Sequence, residues 1–195
     1  MIDDIRVYSD KFDIAVDISS SHFANAEYFC SDQYVGVDID RDRLRQGKAD
    51  FATDPNYTAI HADIHRPIFQ KDSIGMIVST HTFSHLAPDD RLPVLELFLD
   101  YLTPGGCLLL QLANDAPTAA IASRLQESFD TVQRTDYYNE FTRSYRRLHN
   151  GDDPTMAGWQ RYPNAAIIVI LSFLEALSWP NPTYTYSKCL NKQPE

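Results

Sequence analysis

Short apolar runs alternate with stretches of helical spacing along most of the chain. The runs at 12–18, 34–39, 74–79 and 107–112 are largely apolar, the last broken only by Gln111, and 57–62 is a weaker run, third in chain order. That is the pattern of strands covered on both faces by helices. Between them, 21–29 and 40–48 read as short helices. The stretch 89–102 reads as a longer one: Val94, Leu95, Phe98 and Leu102 recur at helical spacing, Asp89 or Asp90 can cap its start, and Pro93 falls near its first turn. Thr103-Pro104-Gly105-Gly106 stops that helix where the fifth run begins. A further amphipathic helix is predicted over 118–129 and a strand over 131–138. The run 165–173, interrupted only by Ser172, predicts a final strand lying antiparallel near the sheet edge. The expected architecture is α/β: a doubly wound, mostly parallel seven-stranded sheet with an antiparallel strand near its edge. Residues 1–177 form one domain in this reading, with 139–163 as an insertion or cap. The tail 178–195, which holds Pro180, Pro182 and Pro194, is expected to be loose.

A length of 195 residues, with 44% hydrophobic and 23% charged side chains, suits one soluble globular domain. The 17 basic against 27 acidic side chains give a net charge of −10, which repels nucleic-acid backbones and anionic membrane surfaces. Arg41, Arg43, Arg45 and Lys48 form the densest basic cluster, but Asp38, Asp40 and Asp42 interleave with it, as on a solvated helix face. Cys30, Cys107 and Cys189 are an odd, widely spaced set that implies neither a disulfide framework nor a zinc knuckle, and so a reducing, cytoplasmic setting. Residues 1–10 are polar and acidic, unlike a secretory signal, and the longest apolar run falls well short of the about 20 residues a membrane helix needs.

Five places, in order, carry a resemblance. The first strand ends in Val16-Asp17-Ile18, the second in Val35-Gly36-Val37-Asp38-Ile39-Asp40, and the third in Ala62-Asp63-Ile64 followed by Pro67 and Ile68. The fourth runs Ile77-Val78-Ser79-Thr80-His81 and then Phe83-Ser84-His85-Leu86, and the fifth is announced by Leu102-Thr103-Pro104-Gly105-Gly106. Over residues 10–115 this resembles the class I S-adenosylmethionine-dependent methyltransferases, whose fold is Rossmann-like. The resemblance implies S-adenosylmethionine as cofactor, with Asp38 accepting from the ribose diol, Asp63 from the adenine amino group, and the Ile64 amide meeting the ring edge. Asp17, Ile39 and Ser79 complete the implied cofactor site. The family's glycine-rich turn is replaced by Ile18-Ser19-Ser20-Ser21-His22-Phe23, so that Ser19, Ser21 and Phe23 occupy the three glycine positions. Ser19 and Ser21 are small enough to take part in the cofactor site; the Phe23 ring must either turn into the core or block the cleft.

His85 and His81, at the mouth of the fourth strand, are the candidate catalytic bases, since methyl transfer needs alignment and sometimes a proton acceptor. His61 and His65 flank Asp63 but lie across a strand end, where side chains diverge, and no metal site is expected. Tyr184-Thr185-Tyr186-Ser187-Lys188 matches the Tyr-x-x-x-Lys of short-chain dehydrogenases, yet it lies outside a helix and lacks the matching glycine turn. No Gly-x-Ser-x-Gly elbow of a hydrolase is present. Aromatic and arginine residues mingle from Tyr137 to Tyr162, a composition suited equally to a cap over the pocket, a homo-oligomer contact or a β-arm. Two functions compete at this point: methyl transfer to a small-molecule acceptor, and a methyltransferase-fold binding or scaffold protein that has lost cofactor use.

Overall fold

A computed structural model describes residues 1–80, 82–113, 118–137 and 184–194. The runs 139–163 and 165–173, and His81, lie outside the described residues. The chain divides into two compact units, Met1–Arg134 with Tyr186–Glu195, and Thr135–Thr185. Nearly all of the described sheet belongs to the first.

Seven strands form one sheet: β1 Ile14–Ile18, β2 Gln33–Asp38, β3 Tyr57–His61, β4 Ile74–Ser79, β5 Leu102–Ala113, β6 Phe129–Tyr137 and β7 Tyr184–Lys192. Their order is β3-β2-β1-β4-β5-β7-β6. The pairs β2–β3, β1–β2, β1–β4 and β4–β5 are parallel, and the last two strands supply the antiparallel edge. The chain leaves β1 to one side and β4 to the other, so the sheet reverses direction at β1, where such folds bind ligands beyond the carboxyl ends of the strands. The α-helices among the described residues are α1 Ile2–Ser9, α2 Arg41–Asp50, α3 Thr82–His85, α4 Pro88–Tyr101 and α5 Thr118–Ser128. Alternation along the strands sorts the core into two layers. Val16, Ile18, Ile77, Leu108 and Leu110 face α4 and α5, whereas Ala15, Met76, Val78 and Leu109 face Ile5, Phe23 and Tyr34.

Most expected elements are present. Asp40 caps α2 by accepting at Oδ1 from the amides of Asp42 and Arg43, each at 3.0 Å. Helix α4 starts on Pro88, where a missing amide hydrogen costs nothing, and buries Val94, Leu95, Phe98 and Leu99. The helix expected over 118–129 is α5. Thr103-Pro104-Gly105-Gly106 belongs to β5 rather than preceding it. Ile74 pairs with Leu102 and Met76 with Cys107, so a step of two residues on β4 spans five on β5, a bulge that absorbs the turn.

Three expectations are corrected. The helix expected over 21–29 is a series of turns with a single 3-10 turn at Ala26–Tyr28, because left-handed residues at its start cannot begin a right-handed helix. The unexpected helix α1 opens the chain, with Ile5 and Ser9 buried one turn apart. The tail expected to be loose contains β7, which occupies the inserted place before the edge expected for 165–173. Its alternation explains this: Tyr186 and Leu190 join one core layer and Cys189 the other. Tyr186 Oη and Lys188 Nζ each donate to Asp4 of α1 at 3.1 Å, and Lys192 Nζ donates to the Leu102 carbonyl at 2.9 Å. Lys188 is therefore a strand residue paired with Asp4, which removes the dehydrogenase match.

Candidate functional site

The turn after β1 keeps the backbone of a glycine loop without its glycines. Ser19, Ser21 and Phe23 have φ of 59°, 53° and 64°, a region that costs side-chain-bearing residues about 1–3 kcal/mol each. The surroundings hold them there. Ser20 N donates to the Val37 carbonyl at 3.0 Å and Phe23 N to the Ser20 carbonyl at 2.8 Å. Ser21 N donates to Asp38 Oδ2 at 2.8 Å, while Asp38 Oδ1 accepts from Asp40 N at 2.8 Å. Asp38 thus ties the turn to the end of β2.

Phe23 turns into the core. It is 4% exposed, with its ring centroid 4.9 Å from Tyr34 in an edge-on arrangement and 6.1 Å from Phe51. Glycines stand on the surfaces the turn packs on. A Cβ at Gly36 would stand 2.4 Å from Phe23 Cε1, and one at Gly47 would stand 2.5 Å from the His22 carbonyl carbon. Gly36→Ala is therefore expected to cost about 1–3 kcal/mol through overpacking, read as a fall in melting temperature; an unchanged melting point would mean that the ring moves freely.

Asp17 does not line the open cleft. It is fully buried, and its Oδ2 accepts from Tyr34 Oη at 3.1 Å and from Asn25 Nδ2 at 3.4 Å. Burial pushes its carboxyl up to about 7, against the two hydrogen bonds and with a further push from the Asp38 charge. The Tyr34 phenol is raised by burial and by the neighbouring Asp17, so it remains a proton donor. Asn25 Nδ2 also donates to Thr80 Oγ1 at 3.4 Å. Among the described residues, Asp17 Oδ1, Ser79 Oγ and Gln111 Oε1 are buried side-chain atoms without a hydrogen-bond partner. They stand on β1, β4 and β5 toward the carboxyl ends, the side on which a ligand would lie.

A pocket of about 160 Å³ gathers five of the residues singled out from the sequence as cofactor contacts, Ser19, Asp38, Ile39, Asp63 and Ile64, together with Thr82, His85 and Leu86. It is smaller than the about 300–1,000 Å³ of whole-ligand sites and corresponds to part of one. Ile39, 69% exposed, stands at its lip. Asp63 accepts from His65 N at 3.0 Å and His65 Nδ1 at 2.7 Å, both on Oδ1. These bonds, the backbone one first, lower its carboxyl below the usual range. His61 Nε2 lies 3.0 Å from the Ile39 carbonyl and so steadies the loop rather than lining the pocket. A larger groove of about 410 Å³ runs along α2 and β3 between Arg41, Arg45, Lys48 and His61, outside the strand-end cleft. Among the described residues no cluster of three or more His, Cys, Asp or Glu is placed to hold a metal ion, and no helix is long and apolar enough to cross a membrane. Sequence reading did not single out the Asn25, Tyr34 and Thr80 contacts or the unpartnered oxygen of Gln111. Of these only Gln111 left a signal, as the one polar residue in an apolar strand.

The strand order and the cleft define a class I methyltransferase fold. Residues 13–106 match the family model of a methyltransferase domain, and the fold around that stretch is the α/β fold of methyltransferases. Among solved structures, a SAM-dependent methyltransferase from Archaeoglobus fulgidus is similar at 15% identity and a TM-score of 0.59, over 96% of this chain and 89% of that one. Geranyl diphosphate C-methyltransferase from Streptomyces coelicolor A3(2), in complex with Mg2+, geranyl diphosphate and S-adenosyl-L-homocysteine, is similar at 11% and 0.56, over 92% and 73%. The [4+2]-cyclase SpnF is similar at 11% and 0.61, over 93% and 76%. No curated protein sequence matches the chain. That a cyclase shares the architecture shows why the reaction must be argued from the site.

Proposed function

We propose that the protein transfers a methyl group from S-adenosylmethionine to a small-molecule acceptor. The observation that carries this reading is the turn after β1: three residues hold the left-handed backbone of a glycine loop, with Asp38 bonded to its centre and the Phe23 ring withdrawn into the core. Strain of that kind persists where a function needs the shape. The alternative, a scaffold that has lost cofactor use, would be favoured by a ring projecting into the cleft. The buried ring supports the enzyme instead.

The residues fit the donor. Asp38, with lone pairs left after its two backbone bonds, accepts from a ribose diol, and Asp63, bonded to His65 through Oδ1 alone, offers Oδ2 to an exocyclic amine. Ile39 and Ile64 supply apolar walls for a purine. Asp17 Oδ1 and Ser79 Oγ, unpartnered at the ends of β1 and β4, are the groups left for an aminoacyl end. When bound, the donor supplies an electrophilic methyl group on a sulfonium. The chain's own part is to orient the reactants and exclude water, with His85 at the pocket wall as the proton acceptor; His81 keeps the same role as a proposal from sequence alone. The net charge of −10 supports a small-molecule rather than a nucleic-acid acceptor, and the odd, widely spaced cysteines support a cytoplasmic setting. Calorimetry with S-adenosylhomocysteine tests the reading. Asp38→Ala is expected to weaken binding by about 1–3 kcal/mol, or roughly 5- to 150-fold, and a wild-type protein that binds no adenosyl ligand at millimolar concentration removes the assignment.

A further inference from the structure

Gln111 has no structural reason to be polar. It is 8% exposed in an otherwise apolar stretch of β5, and its carboxamide oxygen has no partner. An unmatched buried acceptor destabilises a fold, whereas an apolar side chain of like size does not. The last pair between β4 and β5 is Ser79 with Leu110, so Gln111 is the next residue beyond it. Alternation places it on the face of Leu109, Val78 and Ala15, which is also the face of Asp17. On that face Asn25 bridges Asp17 and Thr80, so a row of polar groups crosses the ends of β1 and β4 toward Gln111. Strands stand about 4.8 Å apart, which sets Gln111 roughly two spacings from Asp17, on the far side of β4 from the donor residues of β1, β2 and β3.

We propose that Gln111 is a specificity-determining residue for the methyl acceptor. Its carboxamide oxygen takes a hydrogen bond from an N–H or O–H of that molecule, which is therefore an amine or a hydroxyl compound. This rests on the methyl-transfer reading of the site. The donor's hydrogen-bonding groups are met on β1 to β4, and the polar atom left over lies one strand further along the same end of the sheet. A buried group of this kind discriminates strongly, because an acceptor without the donor hydrogen leaves the amide unmatched.

The test uses the full chain and the variants Gln111→Leu and Gln111→Met, the second being the closer match in shape. Three properties are measured: melting temperature, S-adenosylhomocysteine affinity, and methyl transfer from tritiated S-adenosylmethionine. The acceptor panel sets small primary amines, alcohols and phenols against thiols and β-dicarbonyl carbon acids. Both variants are expected to melt above the wild type, to bind S-adenosylhomocysteine equally well, and to raise KM for the amine or hydroxyl acceptor at least tenfold with a smaller change in kcat. Variants that melt lower, an unchanged KM, or a wild type that fails to methylate any amine or hydroxyl probe would each overturn the proposal. Failure of the wild type to bind S-adenosylhomocysteine overturns instead the methyl-transfer reading beneath it.

Discussion

Asp17→Asn is expected to make the protein more stable above neutral pH and to leave it nearly unchanged near pH 4. The folded carboxyl titrates at about 7, against 3.8 for the ordinary group, because it is fully buried. Between those values the folded protein holds a proton that the unfolded chain has released, so stability falls as pH rises through this window and levels off above it. About three units of difference correspond to roughly 4 kcal/mol lost between pH 4 and pH 7. An asparagine has no proton to lose, and its carbonyl can still accept from Tyr34 Oη, which now meets Asp17 at 3.1 Å. The groups around the carboxyl do not cancel the effect, since Tyr34 and Asn25 are neutral and Asp38 adds a like charge. Urea unfolding from pH 4 to 8 should show a wild-type curve that declines and a variant curve that does not, the two separating by about 3–4 kcal/mol at pH 8. Parallel curves would mean that Asp17 stays hydrated in solution.

That carboxylate also shows where sequence reading stops. The acidic residue at the end of β1 is plain in Val16-Asp17-Ile18, as are Asp38 and Asp63 at the next two strand ends, because apolar runs reveal where strands stop. That Asp17 titrates near neutrality depends on its complete burial, which outweighs the hydrogen bonds from Tyr34 and Asn25, and no local pattern contains that packing. The same limit explains α1, whose helical stretch Ile2–Ser9 is polar apart from a few positions and is held by Asp4 to Tyr186 and Lys188, more than 180 residues away in sequence. Conversely, β7 was legible in the alternation of Tyr186 and Leu190 against Cys189, but the prolines before it outweighed that signal. Local chemistry misleads most over 21–29, where helix-compatible residues follow a turn whose left-handed backbone no serine or phenylalanine announces.

Phe23→Gly resolves the oddest of those residues. Removing a ring that is 4% exposed and packed on Tyr34, Phe51 and Gly36 should cost about 3–5 kcal/mol in lost burial and cavity. Glycine at φ 64° recovers on the order of 1 kcal/mol of backbone strain, much of it offset by the greater freedom of the unfolded chain. The net loss is therefore about 3–4 kcal/mol, a fall in melting temperature on the order of 10 °C for a chain of this size. Affinity of the folded variant for S-adenosylhomocysteine should change little, because the ring does not enter the cleft. A variant that instead gained strong binding would place the ring in the cleft and favour the scaffold reading. The pair with Gly36 sharpens the test. In wild type a methyl group at position 36 collides with Phe23 Cε1 at 2.4 Å; in the Phe23→Gly background it fills part of the space the ring leaves. Gly36→Ala should thus destabilise the first protein and be neutral or stabilising in the second, an interaction of about 1–3 kcal/mol in a double-mutant cycle. Additive effects would show that the two positions do not touch.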